Sequence, residues 1–380
     1  MMVWLRSRKP EIIRFDCSSH LLFCQDLFTP SKRSREAIAA SAPQTMAVTR
    51  KFYMTLKIRT AILSLMLLEW AFSLSPGHCQ DKVRLGYSGL GSGEEIHHLA
   101  KDLGLFRKYN VEVETIRIMG GATIVQSIIA GELQFGRGSA NEVVSAHLGG
   151  FPIKILSAVI NKFIYSFITP IEINKPEDLR GRAVAIAQFG DGSDFITRMA
   201  LQSWGLQPAK DVTILQVGNS PERLAALTSG KVHGAILSLS QTPRAKKLGL
   251  KVLADLSQID AEYPQGVLYA PQSLIDKRPD LIANFLKAYV EAIRVFKTNK
   301  QVAFIVISKY TGIKDKQDID EYYTTLTKNF LQDNPSPTLK GIKTVLDQLS
   351  ARNPRIREIR PEDLIETRFL RDLTVKGSAQ

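Results

Sequence analysis

Residues 83–156 are echoed by residues 182–253 at a constant offset of about 99 positions. A chain that repeats one strand-and-helix plan in this way folds as two similar units rather than as one continuous sheet. The apolar run at 83–89 corresponds to the run at 183–188, and the turn Gly120, Gly121, Ala122 to Asn219, Ser220, Pro221. Ala130, Gly131, Glu132, Leu133 is matched by Ser229, Gly230, Lys231, Val232, and Gly150 by Gly249. Glycine or turn residues that share one offset at three places go beyond the generic strand–turn–helix rhythm of α/β chains.

Within each copy, short β-rich runs alternate with apolar residues at helical spacing. Strands are predicted over 83–87, 111–118, 133–136 and 153–159 in the first copy, and over 183–187, 212–216, 235–238 and 251–254 in the second. Helices are expected between them, among them the segments around Ile96–Leu103, 122–130, 141–148, 195–204 and 221–228. Strands separated by single helices imply parallel pairing with right-handed crossovers. From Gly266 the plan changes to a strand-like run over 266–270, followed by a helix whose Ile282, Phe285, Leu286, Tyr289, Ile293 and Phe296 form one core-facing stripe. The helical segments near 322–330 and 341–349 are expected to pack on the first unit. The fold class is therefore α/β, with two Rossmann-like lobes. One lobe comprises residues 80–170 and 264–380, the other residues 171–263, and the chain crosses between them near 168–174 and again near 256–266. Two crossings make a hinge.

Residues 1–79 read as an over-long start followed by a signal peptide. Lys57 and Arg59 precede an apolar run over 61–68, and the small residues Ser75 and Gly77 follow, so cleavage is expected after Gly77 or Cys79. The run falls short of the ~20 residues a membrane span needs, and Glu69 interrupts it. Residues 1–45 do not fit ahead of such a signal, which points to translation starting at Met46 or Met54. The three cysteines, Cys17, Cys24 and Cys79, all lie in this region. A processed chain then has no disulfide, thiolate metal site or cysteine nucleophile, and remains compatible with an oxidising compartment. His78 stands where a lipoprotein signal needs a small residue, which argues against lipid attachment at Cys79. The expected location is periplasmic or secreted.

The formal charge of +13 suggests a nucleic-acid partner until it is divided along the chain. Residues 1–79 hold 11 Lys and Arg against 5 Asp and Glu, which leaves a scattered net of +7 beyond them. Basic clusters interleaved with aromatics are missing, and Arg244, Lys246 and Lys247 read as a solvated helix face, so no nucleic-acid partner is expected.

Several catalytic patterns begin and fail. Gly89, Gly91 and Gly93 match the opening of a dinucleotide loop, with Glu112 or Glu114 at the ribose position, but Glu94 occupies the place of the third glycine and would repel pyrophosphate. Glu94 with His97, and Glu95 with His98, have helical metal-ligand spacing. No second such motif supplies further ligands, and these side chains read as surface or hydrogen-bonded groups rather than a metal site. Ser88 is not a nucleophile elbow, because Leu90 replaces the required glycine. No cofactor, metal or catalytic residue is assigned.

A different pattern does recur. Small hydrogen-bonding residues sit where each predicted strand ends and the next helix begins, at Ser88–Ser92, Gly120–Thr123, Ser139–Asn141, Gln188–Asp194, Asn219–Ser220 and Ser238–Ser240. Such residues serve anyway as turn formers and caps. In open α/β sheets, however, ligands bind beyond the carboxyl ends of the strands, where helix N-termini offer free N–H groups.

The order of these pieces resembles the periplasmic substrate-binding proteins of ABC importers, in the group that includes taurine-, alkanesulfonate- and nitrate-binding proteins and thiamine-precursor-binding proteins. The resemblance covers about residues 82–300. It is carried by Gly104-Leu105-Phe106, the Gly120-Gly121 turn, Ala130-Gly131-Glu132-Leu133, the connector Pro176-Glu177-Asp178-Leu179-Arg180-Gly181-Arg182, Trp204-Gly205-Leu206, and Ser229-Gly230-Lys231-Val232-His233-Gly234-Ala235. It implies a type II periplasmic binding protein fold, a small organic ligand between the lobes, an ABC permease as membrane partner, a monomer, and no turnover. The ligand-binding positions it implies are Ser88, Gly89, Leu90, Gly121, Ala122, Thr123, Ser139 and Ala140 from the first lobe, and Gln188, Gly192, Ser193, Asn219, Ser220 and Ser238 from the second. Gln134 and His233 stand where the group often has Asp, which departs from its usual pocket electrostatics. Asp191 and Asp194, if they face the cleft, suit a neutral or cationic ligand over a sulfonate or nitrate. Tyr87, Phe189 and Tyr263 are placed to stack on an aromatic solute or to pack in the core. Two other readings share the fold: an enzyme acting on a thiamine-pyrimidine or aromatic-sulfinate substrate, and a ligand-sensing subunit of a membrane receptor. The lack of cysteine beyond Cys79 weighs against the enzymes, which the resemblance associates with cysteine and histidine in the cleft.

Overall fold

The computed structural model describes residues 80–89, 91 and 93–377. The proposed signal segment, Cys79, Leu90 and Ser92 lie outside the described residues. Ten strands form two five-stranded sheets. β1 (Asp81–Tyr87), β2 (Val111–Arg117), β3 (Phe135–Ser139), β4 (Ile153–Ile160) and β10 (Gln265–Pro271) make the first, in the order β2-β1-β3-β10-β4. β5 (Tyr165–Thr169), β6 (Ala183–Ile186), β7 (Thr213–Gln216), β8 (Gly234–Ser238) and β9 (Lys251–Asp255) make the second, in the order β7-β6-β8-β5-β9.

The repeat survives in register. Leu85 pairs with Thr115 and Phe135 in the first sheet, and Val184 pairs with Ile214 and Gly234 in the second, each residue displaced by the same offset. The helices Gly121–Ile129 and Ser220–Thr228 obey it too. Each is followed by a glycine in the left-handed region, Gly131 at φ 79° and Gly230 at φ 72°, where a residue without Cβ turns the chain back towards the sheet without strain.

All-parallel sheets, as the sequence pattern implies, are not what forms. β10 runs antiparallel between β3 and β4, and β5 runs antiparallel between β8 and β9. Each unit thus receives one strand that arrives from the other sheet, a pairing that local periodicity does not encode. β5 was not among the expected strands, and the first passage between sheets falls at residues 161–164, ahead of the expected 168–174. The reason is that 165–169 finds a buried slot between two strands that lie far off in sequence. The return passage runs through residues 256–264, as the sequence suggests. Where the passages meet, the rings of Phe163 and Tyr263 stack at 4.7 Å and those of Tyr263 and Phe195 at 5.2 Å.

The helix Pro279–Thr298 buries its predicted stripe against the first sheet and the helices Glu95–Asp102 and Leu105–Lys108. At about 1.5–3 kcal/mol for each large apolar side chain, this stripe is a principal source of the first unit's stability. Helix Lys316–Asn329 joins the same core through Ile319, Tyr322, Tyr323 and Leu326, and Leu339–Ser350 packs on Ala140–Leu148. Between these helices the chain runs along the free edge of β4. Gln332 N–H donates to Val159 O and Ala158 N–H to Pro335 O, and further on Glu366 N–H donates to Ile155 O. Asn161, at the start of the first passage, donates to Gln332 Oε1 and Ser336 O. Among the described residues no helix is long and apolar enough to cross a membrane.

Candidate functional site

The carboxyl ends of the parallel strands in both sheets face one another and enclose a cavity of about 70 Å³. Ser88, Gly89, Ser139, Gly192, Ser193, Asn219, Ser220 and Ser238, all anticipated from sequence, line it. Glu94, Glu142, Tyr165, Asp191, Arg223 and Gln265 line it as well, and of these only Asp191 is weighed as a cleft residue in the sequence reading. A larger open groove, about 860 Å³, lies at the opposite end of β1 and β2. Its Lys82 and Arg84 pair with Glu112 and Glu114, and no helix N-terminus of the turn set reaches it.

The cavity is closed by hydrogen bonds between the two units. Gln188 Nε2 donates to Thr123 Oγ1 at 3.2 Å, and Asn141 Nδ2 donates to Gly190 O at 3.0 Å. Tyr263 OH donates to Asn141 Oδ1 at 2.8 Å, tying the hinge ring to the same side chain. With its amide oriented to satisfy both neighbours, Asn219 donates to Ser88 O and accepts from Arg117 Nη2. Thr123 and Gln188 therefore form a bridge at the rim. Gly121 packs against Glu142, Ala122 is half-buried, and Ala140 is fully buried in the helix that carries Glu142.

Glu142 is the centre of the arrangement. It is the third residue of helix Ala140–Leu148, and its Oε2 accepts from Ser139 N–H at 3.2 Å and from Tyr269 OH at 3.3 Å. The Gly192 amide, opening the helix Gly192–Ser203 of the second unit, lies near it and favours its ionised form. Gly121, first residue of a third helix, and Gly138 are glycines here because a Cβ at either would overlap the Glu142 carboxylate. Burial, and secondarily the nearby Asp191, push the Glu142 carboxyl up to about 8. Asp191 caps Gly192–Ser203, accepting from Ser193 N–H at 2.9 Å, Asp194 N–H at 3.0 Å and Ser193 Oγ at 2.6 Å. Its carboxyl too is raised by burial, against the pull of those bonds. Asp194 faces a neighbouring pocket and pairs with Arg198 at 2.5 Å.

Two guanidinium groups complete the charge pattern. Arg223 is buried, and three of its five N–H groups bond Ile236 O, Gly218 O and Ser220 Oγ of its own unit. Burial lowers its affinity for its proton from the usual arginine range. Arg137 is fully buried beneath the cavity floor, where it ion-pairs with Glu94 and donates to Tyr289 OH and Gly93 O, both at 2.9 Å. Glu94 is raised by burial, and Arg137 opposes that shift.

The glutamate–histidine motifs are buried rather than at the surface; their glutamates are bonded to Arg137 and Tyr322, while the His97 ring makes no hydrogen bond. His97 is fully buried with both ring nitrogens lacking hydrogen-bond partners, and its Nδ1 lies 3.6 Å from Glu94 Oε2. His98 stacks on Tyr310 at 3.8 Å, and Glu95 accepts from Tyr322 OH. The helix Lys300–Thr311, which sequence periodicity did not connect to this segment, is what covers it. No group of three His, Cys, Asp or Glu side chains with metal-holding geometry occurs among the described residues. Tyr87 joins this cluster by ring contacts to both histidines, Tyr263 is hinge core, and Phe189 is exposed at the rim. Arg223 and Glu142 escaped sequence reasoning because each reads as an ordinary helix residue one turn in. The only available signal was their position one helical turn after Ser220 and Ser139.

Comparison with known proteins agrees with this architecture. A protein of Brucella abortus (strain 2308), itself assigned provisionally as a binding protein, is 24% identical over 243 residues, 63% of this chain and 74% of that one. The periplasmic aliphatic sulphonate binding protein SsuA from Escherichia coli superposes with a TM-score of 0.59 at 17% identity, covering 76% of this chain and 92% of that one. The periplasmic nitrate-binding protein NrtA from Synechocystis PCC 6803 gives 0.61 at 14% identity, covering 74% and 86%. These two structural likenesses establish a shared periplasmic binding protein fold. The family model described as NMT1/THI5 like matches residues 96–303, more than half of the sequence, and the chain belongs to that family.

Proposed function

We propose that this protein is an extracytoplasmic solute-binding protein that captures a small organic molecule between its two lobes and delivers it to an ABC-type importer. The observation that carries the reading is the polar cavity of about 70 Å³, walled by strand-end turns of both sheets and bridged by Thr123–Gln188, Asn141–Gly190 and Asn219–Ser88. Such bridges hold the lobes together, and a ligand that touches both sides shifts them further towards the closed form by its extra contacts. The names of the relatives and the family membership support the same role. Catalysis finds less support, since neither histidine nor cysteine is among the residues lining the cavity. The ligand positions are those of the turn set that line the cavity, with Glu142, Asp191 and Arg223 added, and the protein works as a monomer in the periplasm after signal cleavage.

The test is native mass spectrometry of the full chain after incubation with a small-molecule extract, coupled to small-angle scattering. A retained, chemically unchanged solute and a smaller radius of gyration are expected. Conversion of the solute into a product would sink the reading in favour of an enzyme of this fold.

A further inference from the structure

In this fold an anionic solute would sit where helix N-termini converge, because their free N–H groups and dipoles favour negative charge. Here those positions are occupied by the chain itself. The Glu142 carboxyl takes the Ser139 N–H, lies near the Gly192 amide and packs directly against Gly121, at the starts of three helices from two units. Asp191 takes the next two N–H groups of Gly192–Ser203. Resting on the solute-binding reading above, we propose that the cavity takes a small, donor-rich organic cation of amidine or amine type. Its anion positions are already filled by Glu142 and Asp191.

The rest of the lining fits that class. Glu94 is neutralised by Arg137, and Arg223 is anchored to its own unit by bonds to Ile236 O, Gly218 O and Ser220 Oγ, which take three of its five N–H groups. What remains without an ion-pair partner is the pair of carboxyl groups, Glu142 and Asp191, which a bound cation would hold in their ionised forms. A second acceptor is open as well: Oε1 of Gln265, a residue buried in the lining, has no hydrogen-bond partner. Buried acceptors without donors are costly, and an occupant that donates to them relieves that cost. A planar amidinium, with several N–H groups in a fixed fork, matches this acceptor set.

The experiment compares ions of like shape and opposite charge. Thermal unfolding of the full chain is followed in equimolar acetamidinium, acetate and nitrate at constant ionic strength, and titrations are repeated on Glu142→Gln. Acetamidinium is expected to raise the midpoint while acetate and nitrate do not, and E142Q is expected to bind acetamidinium at least about tenfold more weakly. A rise with acetate or nitrate equal to or above that with acetamidinium overturns the inference even if E142Q misfolds. Retention of an anionic solute from the extract overturns it too, and leaves the binding role standing. A chain that retains nothing and responds to none of the three ions overturns both.

Discussion

Replacing Arg137 by Met removes a fully buried guanidinium while keeping most of the volume of its stem. Three partners are lost at once, the Glu94 carboxylate, Tyr289 OH and Gly93 O. Breaking a buried ion pair from one side costs about 3–5 kcal/mol, because the remaining charge stays desolvated. The two neutral partners lie within that range, since each bond to a charged donor is worth about 1.5–3 kcal/mol and the contributions overlap. R137M should therefore lose about 3–5 kcal/mol at pH 7, read by urea unfolding. The deficit must depend on pH in a defined direction. Burial already holds the folded-state Glu94 carboxyl above its ordinary range, and Arg137 restrains that rise. Without Arg137 the folded state binds this proton more tightly than the unfolded state does, so the variant recovers stability as pH falls towards 5 and loses it as pH rises. The double variant Glu94→Gln, Arg137→Met removes the orphaned charge and should regain about 2 kcal/mol over R137M at pH 7. If the double variant is no more stable than R137M, the orphaned-charge account of this site is wrong.

Wild-type stability should peak on the acid side of neutrality. Glu142 and Glu95 are raised by burial, to about 8 and about 7, so their contribution is present below the unfolded carboxylate range and lost as pH rises through those values. His98 is lowered by burial to about 4, so its contribution is lost as pH falls from the ordinary imidazole range. Unfolding midpoints across pH 5–8 check this, and Glu142→Gln should flatten the decline between 6 and 8. Asn141→Ala deletes both its bond to Gly190 O and the one it accepts from Tyr263, and should enlarge the unliganded radius of gyration in small-angle scattering. An unchanged radius would show that these bonds do not hold the lobes. Lys247→Ala breaks the pair with Asp318, at 2.6 Å but on a side chain more than half exposed, and should cost less than about 1 kcal/mol by urea titration.

What could be read from the sequence followed from short-range regularity. The offset of about 99 positions anticipated not only two sheets but the register within them, because Gly131 and Gly230 end equivalent helices by the same left-handed turn. The exchange of β5 and β10 between sheets was not legible, since a strand's direction and neighbours depend on segments a hundred residues away. At the site, Ser139 and Ser220 were visible as strand-end turn residues, while the charged residues three positions later looked like solvated helix faces. Glu142 is buried because Gly121 and Gly138 make room for it, and Arg223 because it folds back on Gly218 O. Neither clearance can be seen until the helices are placed side by side.

The irregular segment over residues 332–335 and the bond from Glu366 have a consequence for self-association. β4 ends its sheet, and a bare edge strand offers unpaired N–H and C=O groups to any similar chain. In this protein Ala158, Val159 and Ile155 are already paired with the C-terminal segment. That segment therefore acts as a guard on the edge, and a chain cut before residue 332 would expose β4 to pairing with a second copy. Aggregation of such a truncation is the outcome this edge protection implies.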